Sequence, residues 1–130
     1  MGIVTACPSP KPITLQQRLT SIQDIHLRVK ITGLSGNTLS EGFITNVGKT
    51  FVNIGTKRIL FSNISRITVL SDTSSTDTPV TVKTKQGTLS GTLVVIGIDF
   101  VEIAFVNPDG IVTPEIIPLS QVIKITCRKK

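Results

Sequence analysis

A pattern repeated in the two halves of the chain is the feature that most restricts its fold. Residues 38–54 and 88–103 align with one gap, at Glu41. The glycine and apolar pairs that coincide are Gly42/Gly91, Val47/Ile96, Gly48/Gly97, Phe51/Phe100, Val52/Val101 and Ile54/Ile103. Both copies end in a similar segment, at residues 61–68 and 119–126. Repetition of this kind predicts two similar supersecondary units.

The composition indicates that these units are built from β-strands. Ile, Val and Thr make up 49 of the 130 residues, whereas there are only two alanines. β-Branched side chains fit a pleated surface and Ala favours helix, so a helical bundle is excluded. Hydrophobic residues form 39% of the chain. That fraction supports a packed core and excludes wholesale disorder.

The repeat divides the chain into five segments. They are an extended leader at 1–13, a first barrel at 14–71, a linker at 72–79, a second barrel at 80–127 and a basic tail at 128–130.

The leader and the start of the first unit have distinct local patterns. Alternating prolines favour an extended, polyproline-like leader, at Pro8, Pro10 and Pro12. Thr14 is a good N-cap, and apolar residues recur at helical spacing after it, at Leu15, Leu19 and Ile22. One short helix is therefore predicted before the strands begin.

Glycines inside and between the predicted strands suggest how each unit closes. A flat sheet of about five strands leaves two open edges. Gly42 and Gly91 lie in mid-strand and predict bends that curl each sheet into a small barrel. Gly48 and Gly97, each three residues before a Phe, predict a tight turn between the second and third strands.

The order of helix, long strand, Gly turn, bent strand, Gly turn and terminal hairpin resembles the Sm-like small-barrel fold. Residues 91–103 and 117–122 are more closely similar to a small uncharacterised domain of spore-forming bacteria, some members of which belong to the spore coat. The resemblance covers residues 14–127 and rests on turn glycines and core residues. It implies a mostly β fold of two tandem five-stranded Sm-like small barrels with one short N-terminal helix.

The resemblance also allows a test for RNA binding. The acidic and Asn contacts of RNA-binding Sm-like proteins fall on Gly48 with Val52 and Gly97 with Val101, and their basic turn falls on residues 62–63 and 120–121. None of these matches an RNA contact, Trp and Tyr are absent, and the Lys and Arg behind the net charge of +6 are mostly dispersed. Nucleic-acid binding is therefore the alternative hypothesis.

Candidates for catalysis are few. His26 is the only histidine, and its simplest interpretation is a partly exposed strand residue. His26, Cys7 and Cys127 lie in separate segments without the paired spacing of a metal site. Asp99 and Glu102 are three residues apart, hence on opposite faces of a strand. We predict neither an enzyme nor a bound cofactor.

The two cysteines are the sharpest remaining signal. Cys7 lies in the leader and Cys127 is expected to follow the last strand, so neither is predicted to be an ordinary buried thiol. One interpretation is free or locally paired thiols in a reducing cytoplasm. The other is that Cys7 of one subunit reaches Cys127 of the next, because an extended leader spans about 35–40 Å.

These features predict a self-assembling structural protein of the bacterial spore envelope. Its partner is a second copy in a homo-oligomeric ring or filament, joined through the leader and interchain disulfides, together with other spore-surface proteins. A third hypothesis is an adaptor that binds a small ligand or peptide between the barrels. No segment reaches about 18 consecutive apolar residues, and the start lacks the features of a signal peptide. We expect synthesis in the cytoplasm, no membrane partner and deposition on the spore surface.

Overall fold

The computed structural model describes residues 4–5, 10–70, 79–106 and 112–127. One helix, α1 (Leu15–Asp24), is followed and preceded by strands. The strands are β1 (Val4–Thr5), β2 (Arg28–Gly33), β3 (Thr38–Val47), β4 (Phe51–Ile54), β5 (Lys57–Leu60), β6 (Ile64–Val69), β7 (Pro79–Thr84), β8 (Gly87–Ile96), β9 (Phe100–Val106), β10 (Val112–Pro118) and β11 (Val122–Cys127). The prediction of a mostly β chain with one short N-terminal helix is confirmed.

Helix α1 begins at the predicted cap. The Thr14 hydroxyl accepts a hydrogen bond from the backbone N–H of Gln17, and the Gln17 side chain accepts one from the N–H of Thr14. This reciprocal pair satisfies two backbone donors at the start of the helix. The three predicted apolar residues, Leu15, Leu19 and Ile22, are all buried.

The strands form one continuous sheet in the order β1-β11-β7-β8-β9-β10-β6-β2-β3-β4-β5. Every pair is antiparallel except β1 with β11. The strands of the two repeats are arranged alike within this order. In each repeat the last strand comes first and is followed by the first, second, third and fourth strands, as β11-β7-β8-β9-β10 and as β6-β2-β3-β4-β5. The repeats join where β10 pairs with β6, with Glu115 opposite Thr68 and Ile116 opposite Ile67.

The expectation of two tandem closed barrels is not confirmed. The sheet is open, and among the described strands no pairing connects β5 with β1 or closes either repeat on itself. The edge of β10, the fourth strand of the second repeat, pairs with β6 of the first repeat instead. Backbone groups of this edge therefore pair between the repeats, at Glu115 and Ile116, without closing a barrel.

Two hydrophobic clusters lie along the sheet, and the first extends from the first repeat into the second. The first cluster contains α1 and strands of the first repeat, but also Phe100 and Ile116 of the second. The second cluster is formed by β7 to β11. Pro79, assigned to the linker, begins β7. The rest of that linker and the basic tail lie outside the described residues.

Candidate assembly surfaces and the junction between the repeats

The edge of β11 carries the first candidate surface, because β1 is added to it. Val4 lies opposite Ile125 and Thr5 opposite Thr126 in a parallel pair. The end of the leader, with Pro10 and Pro12, is tied to the second repeat by hydrogen bonds from Lys11 N to Ile96 O and from Ile98 N to Ile13 O, both 2.8 Å. Pro8 lies outside the described residues.

Cys127 occupies a different position from the predicted one. It is the last residue of β11 and only 3% exposed, in the hydrophobic cluster of the second repeat. The prediction that it follows the last strand and stands outside the apolar pattern is wrong, because Ile125 and Cys127 are two residues apart and face the same side of β11. Cys7 lies outside the described residues, so a bond between the two cysteines stays a prediction.

The same tight turn occurs in both repeats. Gly48 N–H donates to Phe51 O at 2.9 Å, and Gly97 N–H donates to Phe100 O at 2.8 Å. In each turn the Phe ring packs directly on the glycine, so that a Cβ would overlap the ring. Glycine is required here by this close approach. The two turns support the equivalence of the repeats at the level of individual atoms.

The mid-strand glycines lie at the centres of the two longest strands. Gly42 in β3 has φ +154°, and a Cβ there would come within 3.1 Å of Ile54. Gly91 in β8 faces the carbonyl of Ala104, which a Cβ would overlap. Both glycines allow the backbone of one strand to approach its neighbour closely.

Two acidic residues of the second repeat hold α1. The Asp99 carboxylate accepts the Leu15 N–H at 2.6 Å. Glu102 is completely buried and accepts two hydrogen bonds from the Arg18 guanidinium, at 2.6 and 2.9 Å. The bond with Glu102 raises the pKa of Arg18. This ion pair joins residues that are 84 positions apart in the sequence.

The remaining catalytic candidate, His26, is exposed in the turn between α1 and β2, with φ +55°. It is therefore not the strand residue that we expected. Among the residues described, no group of three or more His, Cys, Asp or Glu is placed to hold a metal ion.

A buried carboxylate lies at the junction of the repeats. Glu115 in β10 accepts a hydrogen bond from the Thr68 hydroxyl at 2.7 Å. Burial raises the pKa of Glu115, and the hydrogen bond and the charges of Arg66 and Lys30 oppose this effect. One hydroxyl group, that of Thr68, and two basic side chains, those of Arg66 and Lys30, thus lie around this acidic residue of the second repeat.

The other end of the sheet, β5, carries the second candidate surface. A groove of about 510 Å³ runs beside this strand. Its apolar floor includes Leu34 and Leu60, which are 42% and 45% exposed. At its rim, Lys57 Nζ donates to Leu39 O at 2.5 Å. The Arg58 guanidinium stacks over the Phe51 ring at 4.2 Å.

The positions compared with RNA contacts are occupied by core and turn residues. Val52 and Val101 are buried. Residues 62–63 and 120–121 belong to one-turn 3₁₀ helices before β6 and β11.

Comparisons of the chain with models of protein families, with curated proteins and with solved structures found no match. In the described ranges, no helix has the length and apolar character needed to cross a membrane.

Proposed function

We propose that this chain is a structural protein of the spore envelope that assembles with copies of itself by exchanging strand β1. The observation that carries the proposal is the addition of β1 to the edge of β11, through only two paired positions. Strand β11 already pairs with β7 along its other edge. An edge strand of this kind accepts an equivalent strand from the same chain or from a neighbour.

The length of the leader limits the geometry of such an exchange. Lys11 is fixed to the second repeat by its bond to Ile96. Thr5 precedes it by six residues, so the two can be at most about 20 Å apart. A neighbouring copy must therefore present its β11 within that distance. Each chain carries one donor strand and one acceptor edge, and repeated exchange gives rings or filaments.

The fold proposal that accompanies this function is that each repeat is an Sm-like unit. It is supported by the identical strand order of the repeats and by their matching Gly–Phe turns. The absence of closure in either unit is explained by the β10–β6 junction, which uses an edge that closure would need.

The cysteines are the proposed covalent lock. Cys127 directly follows Thr126, which lies opposite Thr5 of β1. Cys7 follows Thr5 by two residues, so that its Cα is within about 7.6 Å of the Thr5 Cα. A β1 strand donated by a neighbour would bring that neighbour's Cys7 towards this Cys127. The lock would be a disulfide between chains in place of one within a chain, so it would form by thiol–disulfide exchange without net oxidation.

The experiment is a measurement of oligomeric state and of disulfide connectivity. We expect light scattering to show oligomers as the protein concentration is raised to about 1 mM. The short leader holds β1 near its own β11 at an effective concentration of about this size, so a neighbouring copy competes with it on this scale. Mixed ¹⁴N- and ¹⁵N-labelled copies should yield Cys7–Cys127 peptides of hybrid isotopic mass. A variant lacking residues 1–9 should be monomeric, and Cys7→Ser should assemble without cross-links. Assembly that persists without residues 1–9, or a full chain that remains monomeric throughout, overturns the proposal.

A further inference from the structure

We propose that the outer edge of β5 and the groove beside it bind an extended, acidic segment of a different protein. The segment would add to β5 as an antiparallel strand. This inference does not rest on the exchange of β1, because it concerns the opposite end of the sheet.

In the second repeat, the strand equivalent to β5 has a partner along its outer edge. Phe51 lies opposite Leu60 in the β4–β5 pair, and Phe100 lies opposite Pro118 in the β9–β10 pair. Since Phe51 and Phe100 are equivalent, β5 corresponds to β10. Strand β10 pairs with β6 in antiparallel fashion. Among the described strands, none pairs with the outer edge of β5.

The groove shows the same relationship. At the junction, a cavity of about 320 Å³ lies between β6 and the β2–β3 and β7–β8 turns, and Ser65 and Arg66 of β6 form part of its lining. In the first repeat, the space between the β2–β3 turn and β5 is wider, about 510 Å³, and includes the exposed apolar residues Leu34 and Leu60. Strand β6 thus borders the junction cavity, whereas none of the described strands lies along the outer edge of β5.

The charges at the edge decide which strand fits. The register that aligns Leu60 with Pro118 places Lys57 at the position of Glu115 and Arg58 at the position of Ile116. At the filled edge, Glu115 is close to the positive charge of Arg66. At the β5 edge the sign is reversed, so a complementary strand carries Asp or Glu where β6 carries Arg66.

A second copy of the chain does not meet this requirement. The strand equivalent to β6 is β11, and the residue equivalent to Arg66 is Lys124. Pairing β11 of another copy with β5 would place Lys124 near Lys57, two like charges at a forming interface. Basic residues on an edge strand discourage pairing between identical chains. The same residues favour an acidic strand, since the rim cations are held in place by Leu39 O and the Phe51 ring.

The test uses two synthetic peptides of eight residues that alternate Val with Glu or Val with Lys, each carrying a fluorophore. By fluorescence anisotropy, we expect the full chain to bind the Glu peptide at least tenfold more tightly than the Lys peptide. The double variant Lys57→Glu, Arg58→Glu should reverse this preference. The control Lys124→Glu, which removes the same sign of charge at the other end of the sheet, should leave it unchanged. Thermal unfolding of each variant verifies that it folds.

Chemical-shift perturbation in the full chain locates the binding, and we expect the largest changes in residues 34–39 and 57–60. No binding of the Glu peptide at 1 mM overturns the proposal, as does a preference that Lys124→Glu abolishes. Displacement of the Glu peptide by a uridine 12-mer that binds more tightly at the same residues also overturns it and assigns the groove to nucleic acid. Self-pairing through β5, detected as oligomers lost on Leu60→Pro, assigns the groove to a second copy.

Discussion

Substituting Arg18 with Ala tests whether α1 and the second repeat fold as one unit. Glu102 is completely buried, and both of its carboxylate oxygens accept hydrogen bonds from Arg18. The substitution leaves this carboxylate in the interior without its partner. Removing one member of a buried ion pair costs about 3–5 kcal/mol. The Arg18 side chain is 22% exposed, so water partly reaches the pair. We expect about 3 kcal/mol, the lower end of that range.

The measurement is urea unfolding followed by far-UV circular dichroism, because the chain has no Trp or Tyr for fluorescence. For a chain of 130 residues, about 3 kcal/mol corresponds to a fall in Tm of roughly 10 °C. Hydrogen exchange should show α1 and β9 losing protection together. The control Thr20→Ala alters an exposed residue of the same helix and should change stability by less than about 0.5 kcal/mol.

A double variant separates the charge from the packing. Arg18→Met with Glu102→Leu removes both charges and retains apolar volume, so we expect it to be more stable than Arg18→Ala alone. The reasoning is refuted if Arg18→Ala costs less than about 1 kcal/mol, the value of a surface ion pair. It is also refuted if the double variant is less stable than the single one.

Three further predictions concern the junction and the turns. Because burial raises the pKa of Glu115 above its ordinary value of 4.5, this group contributes stability at low pH that is lost as pH rises through the folded-state pKa. Glu115→Gln should flatten that decline in urea midpoints measured from pH 4 to 7, and an unchanged slope would contradict it. Ile116→Ala, at a completely buried junction position, should cost about 2–5 kcal/mol in the same assay, whereas Ile123→Ala, 46% exposed, should cost far less. Gly97→Ala should lower stability by about 1–3 kcal/mol, since its Cβ would overlap the Phe100 ring and approach Ile13 O; an unaltered Tm would show that the turn relaxes freely.

Local features of the fold could be predicted from sequence because their causes are local. The Thr14 cap and the three apolar residues after it determine α1 within ten positions. The tight turns at Gly48 and Gly97 each depend on a Phe three residues later. Alternation of apolar and polar residues at 27–32 and 80–85 also predicts β2 and β7, since side chains of a strand alternate between its two faces. These signals need no knowledge of which strands become neighbours.

The order of the two repeats in the sheet could not be predicted in this way. Pairing of β10 with β6 is made by backbone groups, which every non-proline residue carries, so no side-chain pattern identifies the partner. A charged residue in the apolar run of β9 was a signal that Glu102 needs a partner. The sequence does not show that the partner is Arg18, 84 positions away. The repeated terminal segment ends at Thr126, so it does not show that β11 continues through Cys127.

The two fourth strands show how equivalent positions serve different interfaces. In β10, Glu115 and Ile116 pair with β6, and both are buried in the junction. In β5, the equivalent Lys57 and Arg58 are exposed at the end of the sheet. At the junction, Ile116 loses contact with water on folding, and the buried Glu115 is compensated by the Thr68 hydroxyl and the charges of Arg66 and Lys30. Charged residues suit an edge that must stay in water until a partner of opposite charge arrives. The difference between these two pairs of residues is therefore the strongest reason to assign the two ends of the sheet to different partners.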